Sequence, residues 1–181
     1  MRITRKAGKI DALRQAVAGL QDAQGRVGWF ETAKYEDGAP VAGVAAVQEF
    51  GSPAQGIPPR LGMRTTAREK QEEWRGLVEQ VSRAAMRGQV APEQVMEALT
   101  MAAGGHMAAQ ISKVVAPPLK EATIAARKRR LADKGASVTG AKGGAGIAGI
   151  TKPLVDTGIL LATLSYEANG TITPVSEGSG K

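Results

Sequence analysis

Cysteine is absent from this chain. A disulfide scaffold and a thiolate metal site are therefore both excluded, and the absence fits a reducing compartment. Aromatic residues are scarce, at 3% of the chain. With 43% hydrophobic residues, the core has to be built from Ala, Val, Leu, Ile and Met. Helices of small residues approach closely but bury little area each, so the isolated chain is expected to be modestly stable and to gain from partners. No apolar run approaches the ~18 residues that a membrane-spanning helix requires. The basic start, Met1-Arg2-Ile3-Thr4-Arg5-Lys6, has no apolar stretch behind it and does not read as a signal peptide.

What is present is charge of one sign, in one place. The formal net charge is +7 over 181 residues. Residues 113–152 hold nine basic residues against Glu121 and Asp133, which accounts for all of it. The rest of the chain is neutral, so a neutral body carries one basic segment. Such a segment suits nucleic acid or an acidic partner surface.

The chain reads as one α+β domain over 1–175, with a flexible glycine-rich insertion at 135–150 and a disordered tail at 176–181. Ile10, Leu13, Val17 and Leu20 fall at i, i+3, i+7 and i+10, which predicts an amphipathic helix over Lys9–Gln24. Val27–Glu31 predicts a strand and Glu36-Asp37-Gly38 a turn. A short apolar helix with Pro40 near its start runs to Phe50, and Gly51 stops it in a left-handed cap. Pro53, Gly56, Pro58 and Pro59 then form a stiff turn, which fits neither a helix interior nor a central strand.

A long polar helix starts near Arg64, with Trp74, Leu77, Val78 and Val81 in one stripe and Gly88 at its end. After Pro92 another helix presents Val95, Leu99, Ala102, Ala103, Met107 and Ile111 on one face. Gly104-Gly105 within it predicts a kink or a tight crossing. Pro117-Pro118 breaks the chain, and Leu119–Lys134 is a basic helix. Beyond the insertion, Asp156 or Thr157 is placed to cap a short helix at Ile159-Leu160-Leu161. Leu164–Ala168 alternates like a strand, Asn169-Gly170 is a hairpin turn, and Thr171–Val175 returns. The sheet is expected to be small and antiparallel, built from Val27–Glu31 and this C-terminal hairpin with several helices, some long, packed on it.

Little of this reads as catalysis. His106 is the one histidine and has no partner set for a dyad or a metal site. The stretch from Gly135 to Lys142 has the outline of a phosphate-binding loop, but Ala141 separates Gly140 from Lys142 and no buried strand precedes it. Nucleotide hydrolysis is rejected on that ground. Glu69, Glu72, Glu73 and Glu79 alternate with cations as a solvated helix face does. No enzymatic activity, cofactor or metal is expected. The basic cluster Arg127-Lys128-Arg129-Arg130, with Lys134 and Lys142 beyond it, lacks a neighbouring aromatic to stack on bases. It therefore suits nonspecific backbone contact or an acidic protein surface rather than sequence reading.

Two stretches carry a resemblance. Val44-Ala45-Ala46-Val47-Gln48-Glu49-Phe50-Gly51, followed by Ile57-Pro58-Pro59-Arg60, resembles a signature of the tail-completion, or neck, proteins of long-tailed double-stranded DNA phages. Lys152-Pro153-Leu154-Val155-Asp156-Thr157-Gly158, followed by Leu160 and Ser165-Tyr166-Glu167, is similar to that family's second signature. The likeness spans roughly residues 20–175. It departs where the family commonly has Arg-Pro-Phe, since Arg60 is followed here by Leu61-Gly62.

The resemblance implies a structural virion protein, assembled in the host cytoplasm into a homo-oligomeric ring at the head–tail junction through which the genome passes. It implies neighbours among the other neck proteins: a portal-side adaptor or connector, a tail terminator or the tail tube. Glu49, Phe50, Gly51, Arg60, Asp156, Thr157 and Gly158 become the expected assembly interface, with the two signatures close together. Arg127, Lys128, Arg129, Arg130, Lys134 and Lys142 become an assembly or DNA-facing segment. The alternatives are a tail terminator or other head–tail connector and, in a different class, a nonspecific nucleic-acid-binding protein.

Overall fold

The structure is a computed structural model that describes residues 7–21, 23–60, 62–114, 116–133 and 158–178. In chain order the elements are α1 (Ala7–Gln21), β1 (Gly25–Gly28), α2 (Val41–Phe50), a 3-10 turn (Pro53–Gln55), α3 (Met63–Met86), α4 (Glu93–Lys113), α5 (Glu121–Asp133), α6 (Ile159–Ala162), β2 (Ser165–Ala168), β3 (Thr171–Pro174) and α7 (Val175–Gly178). This is an α+β fold, with long helices, a small antiparallel sheet and a C-terminal hairpin. The glycine-rich insertion expected at 135–150 lies outside the described residues.

The chain divides into two compact units, and two of the divisions fall inside α3 and α4. One comprises Met1–Gly28, Ala67–Gly105 and Ser165–Lys181. Its sheet has the order β1-β2-β3, both pairings antiparallel. Tyr166 faces Val27 on one side and Thr173 on the other. Asn169 and Gly170 take φ of +52° and +84°, so the hairpin turns as Asn-Gly predicts. The tip is tied down by the Asn169 side chain, which donates to the Glu93 carbonyl at 2.9 Å, and by its backbone N–H, which donates to Gln24. Buried apolar residues of this unit are Ala16, Ala85, Val95, Ala103, Tyr166, Ala168 and Val175. Four of the seven are alanine, in keeping with the small-residue composition.

The strand expected at Val27–Glu31 begins two residues earlier and ends at Gly28. Pairing with β2 sets its limits, while Trp29 turns away to donate its indole N–H to the Leu160 carbonyl at 2.8 Å. Of the tail expected to be disordered at 176–181, the first three residues belong to α7, and 179–181 lie outside the described residues. Val175 explains this, because its buried side chain seats over Gly104. A Cβ at Gly104 would lie 2.7 Å from Val175 Cγ2. The glycine pair in α4 is thus a close approach at Gly104, while Gly105 faces open space. The apolar stripe of α1 is also turned differently from the simple amphipathic reading. Ala16 is buried, whereas Ile10, Leu13 and Val17 are 46%, 43% and 42% exposed.

The second unit comprises Trp29–Thr66 and His106–Leu164. Its buried apolar residues are Val41, Ala45, Ile111, Val114, Leu160 and Leu164. The Glu36-Asp37-Gly38 turn forms as expected, closed by Gly38 N–H to Tyr35 and by Ala39 N–H to Asp37 Oδ1. Pro40 is the residue before α2 and pre-sets its direction. Helix α5 is two residues shorter at its start than the Leu119 boundary.

Gly104 and Gly105 separate packing from propensity at adjacent positions. Gly105→Ala should stabilise the protein by about 0.5–1 kcal/mol, because alanine is the better helix former and nothing is displaced. Gly104→Ala should destabilise it, because stiff, buried Val175 has to move. Urea unfolding midpoints of the two variants check the opposite signs.

Candidate functional site

The first signature folds as one locked element in the second unit. Helix α2 delivers Glu49 inward and Phe50 outward, at 7% and 65% exposure. Helix α3 begins with Met63 and Arg64 and has no acidic residue in its first turn. Its unpaired N–H groups and its positive dipole end therefore need a carboxylate from elsewhere. Glu49 supplies it. Oε2 accepts from the Met63 N–H at 2.8 Å, and Oε1 accepts from the Arg64 N–H at 3.1 Å and from Arg64 Nε at 2.9 Å. Arg64 Nη2 donates to the Glu49 carbonyl. Burial pushes the Glu49 pKa up, but the Arg64 side-chain hydrogen bond and the two backbone N–H bonds outweigh it, so the group lies below its ordinary 4.5.

Beyond α2 the chain reverses within a few residues. Gly51 has φ +77° and ψ 173°. The backward turn is therefore not the left-handed cap expected but an extended, positive-φ conformation that is essentially confined to glycine. Space closes the position as well, since a Cβ there would lie 2.9 Å from the Ile57 carbonyl oxygen and 3.0 Å from Pro59 Cδ. Ser52 and Ile57 exchange backbone hydrogen bonds at 2.8 and 3.0 Å around the Pro53–Gln55 turn. The Arg60 N–H returns to the Gln48 carbonyl, while its guanidinium donates to the carbonyls of Pro117 and Pro118 at 2.9 and 3.1 Å. Burial lowers the Arg60 pKa.

The outward member is Phe50. Among the six aromatic residues, all of them described, Phe50 alone is exposed. The Arg64 guanidinium carbon stands 4.7 Å above its ring centroid, so the ring is oriented although solvent surrounds it.

The second signature is only partly described. Asp156 and Thr157 lie outside the described residues. Gly158 stands at the N-cap of α6 with φ +73°, so the position expected for an Asp or Thr cap is held by glycine with no side-chain cap. Helix α6 packs against α2, which brings the chain just after Gly158 beside the first signature.

The basic cluster divides. Arg127 is buried, at 8% exposure, while Lys128, Arg129 and Arg130 are exposed on α5. Lys134 and Lys142 lie outside the described residues. His106 is half-buried within α4, and no cluster of three metal-ligating side chains occurs among the described residues. No described helix is long and apolar enough to cross a membrane.

The residue that sequence reasoning missed is Arg64, noted only as a helix start. A cation in the first turn of a helix without an acid was the available signal, because the dipole disfavours it unless a carboxylate arrives. Comparison with known protein families, curated proteins and solved structures finds no match.

Two outcomes test this lock. Glu49→Ala should cost about 1–3 kcal/mol at neutral pH. Because the folded pKa is depressed, the Glu49 contribution is present above pH 4.5 and is lost as pH falls through the lower folded value. The acid limb of stability should therefore be shallower in Glu49→Ala than in the parent, measured by urea unfolding across pH. Gly51→Ala should cost about 1–3 kcal/mol from backbone strain alone, with the close contacts adding to it.

Proposed function

We propose that this chain is a structural subunit of a homo-oligomeric ring at the head–tail junction of a long-tailed double-stranded DNA phage, acting in neck assembly or tail completion and carrying no enzymatic activity. The observation that supports the reading is the division of labour within Glu49–Arg60. Glu49, Gly51 and Arg60 are consumed in internal ties, and those ties hold one exposed aromatic, Phe50, in a set orientation. A stiff loop that presents an oriented aromatic is suited to docking, because little side-chain entropy remains to be lost on contact. The small-residue core favours the same reading, since it gains from neighbours.

In this reading the other neck proteins flank the ring, and the virion is where it resides. A tail terminator or another connector makes the same use of the features.

The exposed cations Lys128, Arg129 and Arg130 favour a second reading, a nonspecific nucleic-acid-binding protein. Negative-stain imaging of the purified protein separates the two. Closed rings support the neck reading. A dispersed monomer whose DNA affinity falls steeply with salt supports the other.

The variant carrying Lys128→Gln, Arg129→Gln and Arg130→Gln divides the roles further, because it leaves buried Arg127 in place. Intact rings with leaking heads assign the three cations to DNA, and absent rings or unjoined tails assign them to a protein interface. Normal assembly and infectivity remove both roles.

A further inference from the structure

We infer that the cavity between α4 and the C-terminal hairpin binds a guanidinium group. The inference does not rest on the ring reading, because all six lining residues belong to one unit of one chain. The cavity measures about 210 Å³ and is lined by Glu97, Tyr166, Ala168, Asn169, Thr171 and Thr173.

Strand register explains how these side chains converge. Tyr166 faces Thr173 and Ala168 faces Thr171, so all four project from one face of the hairpin. Glu167 is opposite Ile172 and projects from the other face, where Arg26 meets it. Helix α4 lies over the first face. A Cβ at Gly25, the β1 partner of Ala168, would come within 2.4 Å of Thr100 Cγ2. The Asn169 side chain donates to the Glu93 carbonyl, and Glu97 follows one helical turn later. Ala168 is the smallest of the four hairpin side chains and leaves the space open.

The polar groups on this wall are unspent. Tyr166 is only 5% exposed, yet its hydroxyl has no hydrogen-bond partner among the described residues. No side-chain polar atom sealed from solvent lacks a partner there, so this hydroxyl lies in the sliver of Tyr166 that solvent reaches. The Thr171 and Thr173 hydroxyls and the Glu97 carboxylate also have no partner among the described residues. Each of these groups can accept a hydrogen bond.

Charge and reach then select the ligand. Glu97 is the one charged residue of the six, so an anion is disfavoured and a neutral polyol leaves the carboxylate uncompensated. A divalent metal ion wants more acid than one carboxylate, and no cluster of three ligating side chains occurs among the described residues. What remains is an organic cation. Thr171 and Thr173 are two residues apart on one strand, about 7 Å, and Tyr166 stands about 5 Å across from Thr173. A compact ammonium with three donors does not span such a set. A planar guanidinium with five N–H donors does, with Glu97 as its counter-charge.

The test is a titration of the full chain with N-butylguanidinium, followed through the backbone amide NMR signals of Glu97, Ala168, Thr171 and Thr173. Saturable shifts are expected, with n-butylammonium binding several-fold more weakly. Glu97→Gln should weaken binding about tenfold and Tyr166→Phe several-fold. Tyr166→Phe should leave the melting temperature unchanged or higher, because the hydroxyl it removes bonds nothing in the protein. Linear, non-saturating shifts overturn the inference, as does equal affinity in both folded variants. Binding of 1,2-butanediol or n-butylammonium as tight as that of the guanidinium probe overturns the ligand class. The source of the group is read without probe. Shifts of the same amides as protein concentration rises, abolished by Glu97→Gln, assign it to an arginine of a second copy. Probe binding without such shifts assigns it to a ligand supplied from outside.

Discussion

A single carboxylate at the start of a helix organises the second unit. Helix α3 opens with Met63 and Arg64 and supplies no acid of its own. Without Glu49, two backbone donors would lose their partner and a cation would sit on the positive end of the dipole. Placing the carboxylate there does more than cap. It fixes the end of α2 against the start of α3, so the chain between them has to reverse within a dozen residues. Gly51 makes that reversal sterically possible, and the prolines stiffen it. Arg60 then carries the same order on to the Pro117-Pro118 segment that leads into α5.

The signature residues are thus unequal in kind. Glu49, Gly51 and Arg60 are held by what they do for the chain itself. Phe50 is exposed, and its ring is met by the Arg64 guanidinium. A stretch can read as a motif because it must fold one way, and only a minority of its members need meet a partner. The basic helix shows the same division. Four consecutive cations look alike in sequence, yet a helix turns each through about 100° from the last. One of them, Arg127, is consequently inside, and the other three are exposed.

Legibility in the sequence followed the range of the interactions. Local rules placed the Asn169-Gly170 hairpin, the Glu36-Asp37-Gly38 turn, the long helices and the stop at Gly51, because each is decided by a few adjacent residues. The α+β class followed from the hairpin and the need for a third strand. Limits set at a distance were less visible. Strand β1 slid toward Gly25 because its partner strand lies about 140 residues away in sequence. The tail became helical because Val175 found the notch at Gly104. Periodicity alone marked the α1 stripe as apolar but carried no information on which arc of the helix the domain covers. The donors that Glu49 meets were not readable from its own neighbourhood, because they are supplied by the next helix.

The bond between Arg60 and the proline carbonyls has a mechanical side. Both hydrogen bonds spring from one planar guanidinium and end on consecutive peptide units. A pull along α5 therefore loads them in parallel, and neither can yield far without the other. Proline has no N–H of its own, so this segment offers carbonyls but cannot take part in a two-way ladder. Arg60 thus acts as a tether between the segment that leads into the basic helix and the stiff turn.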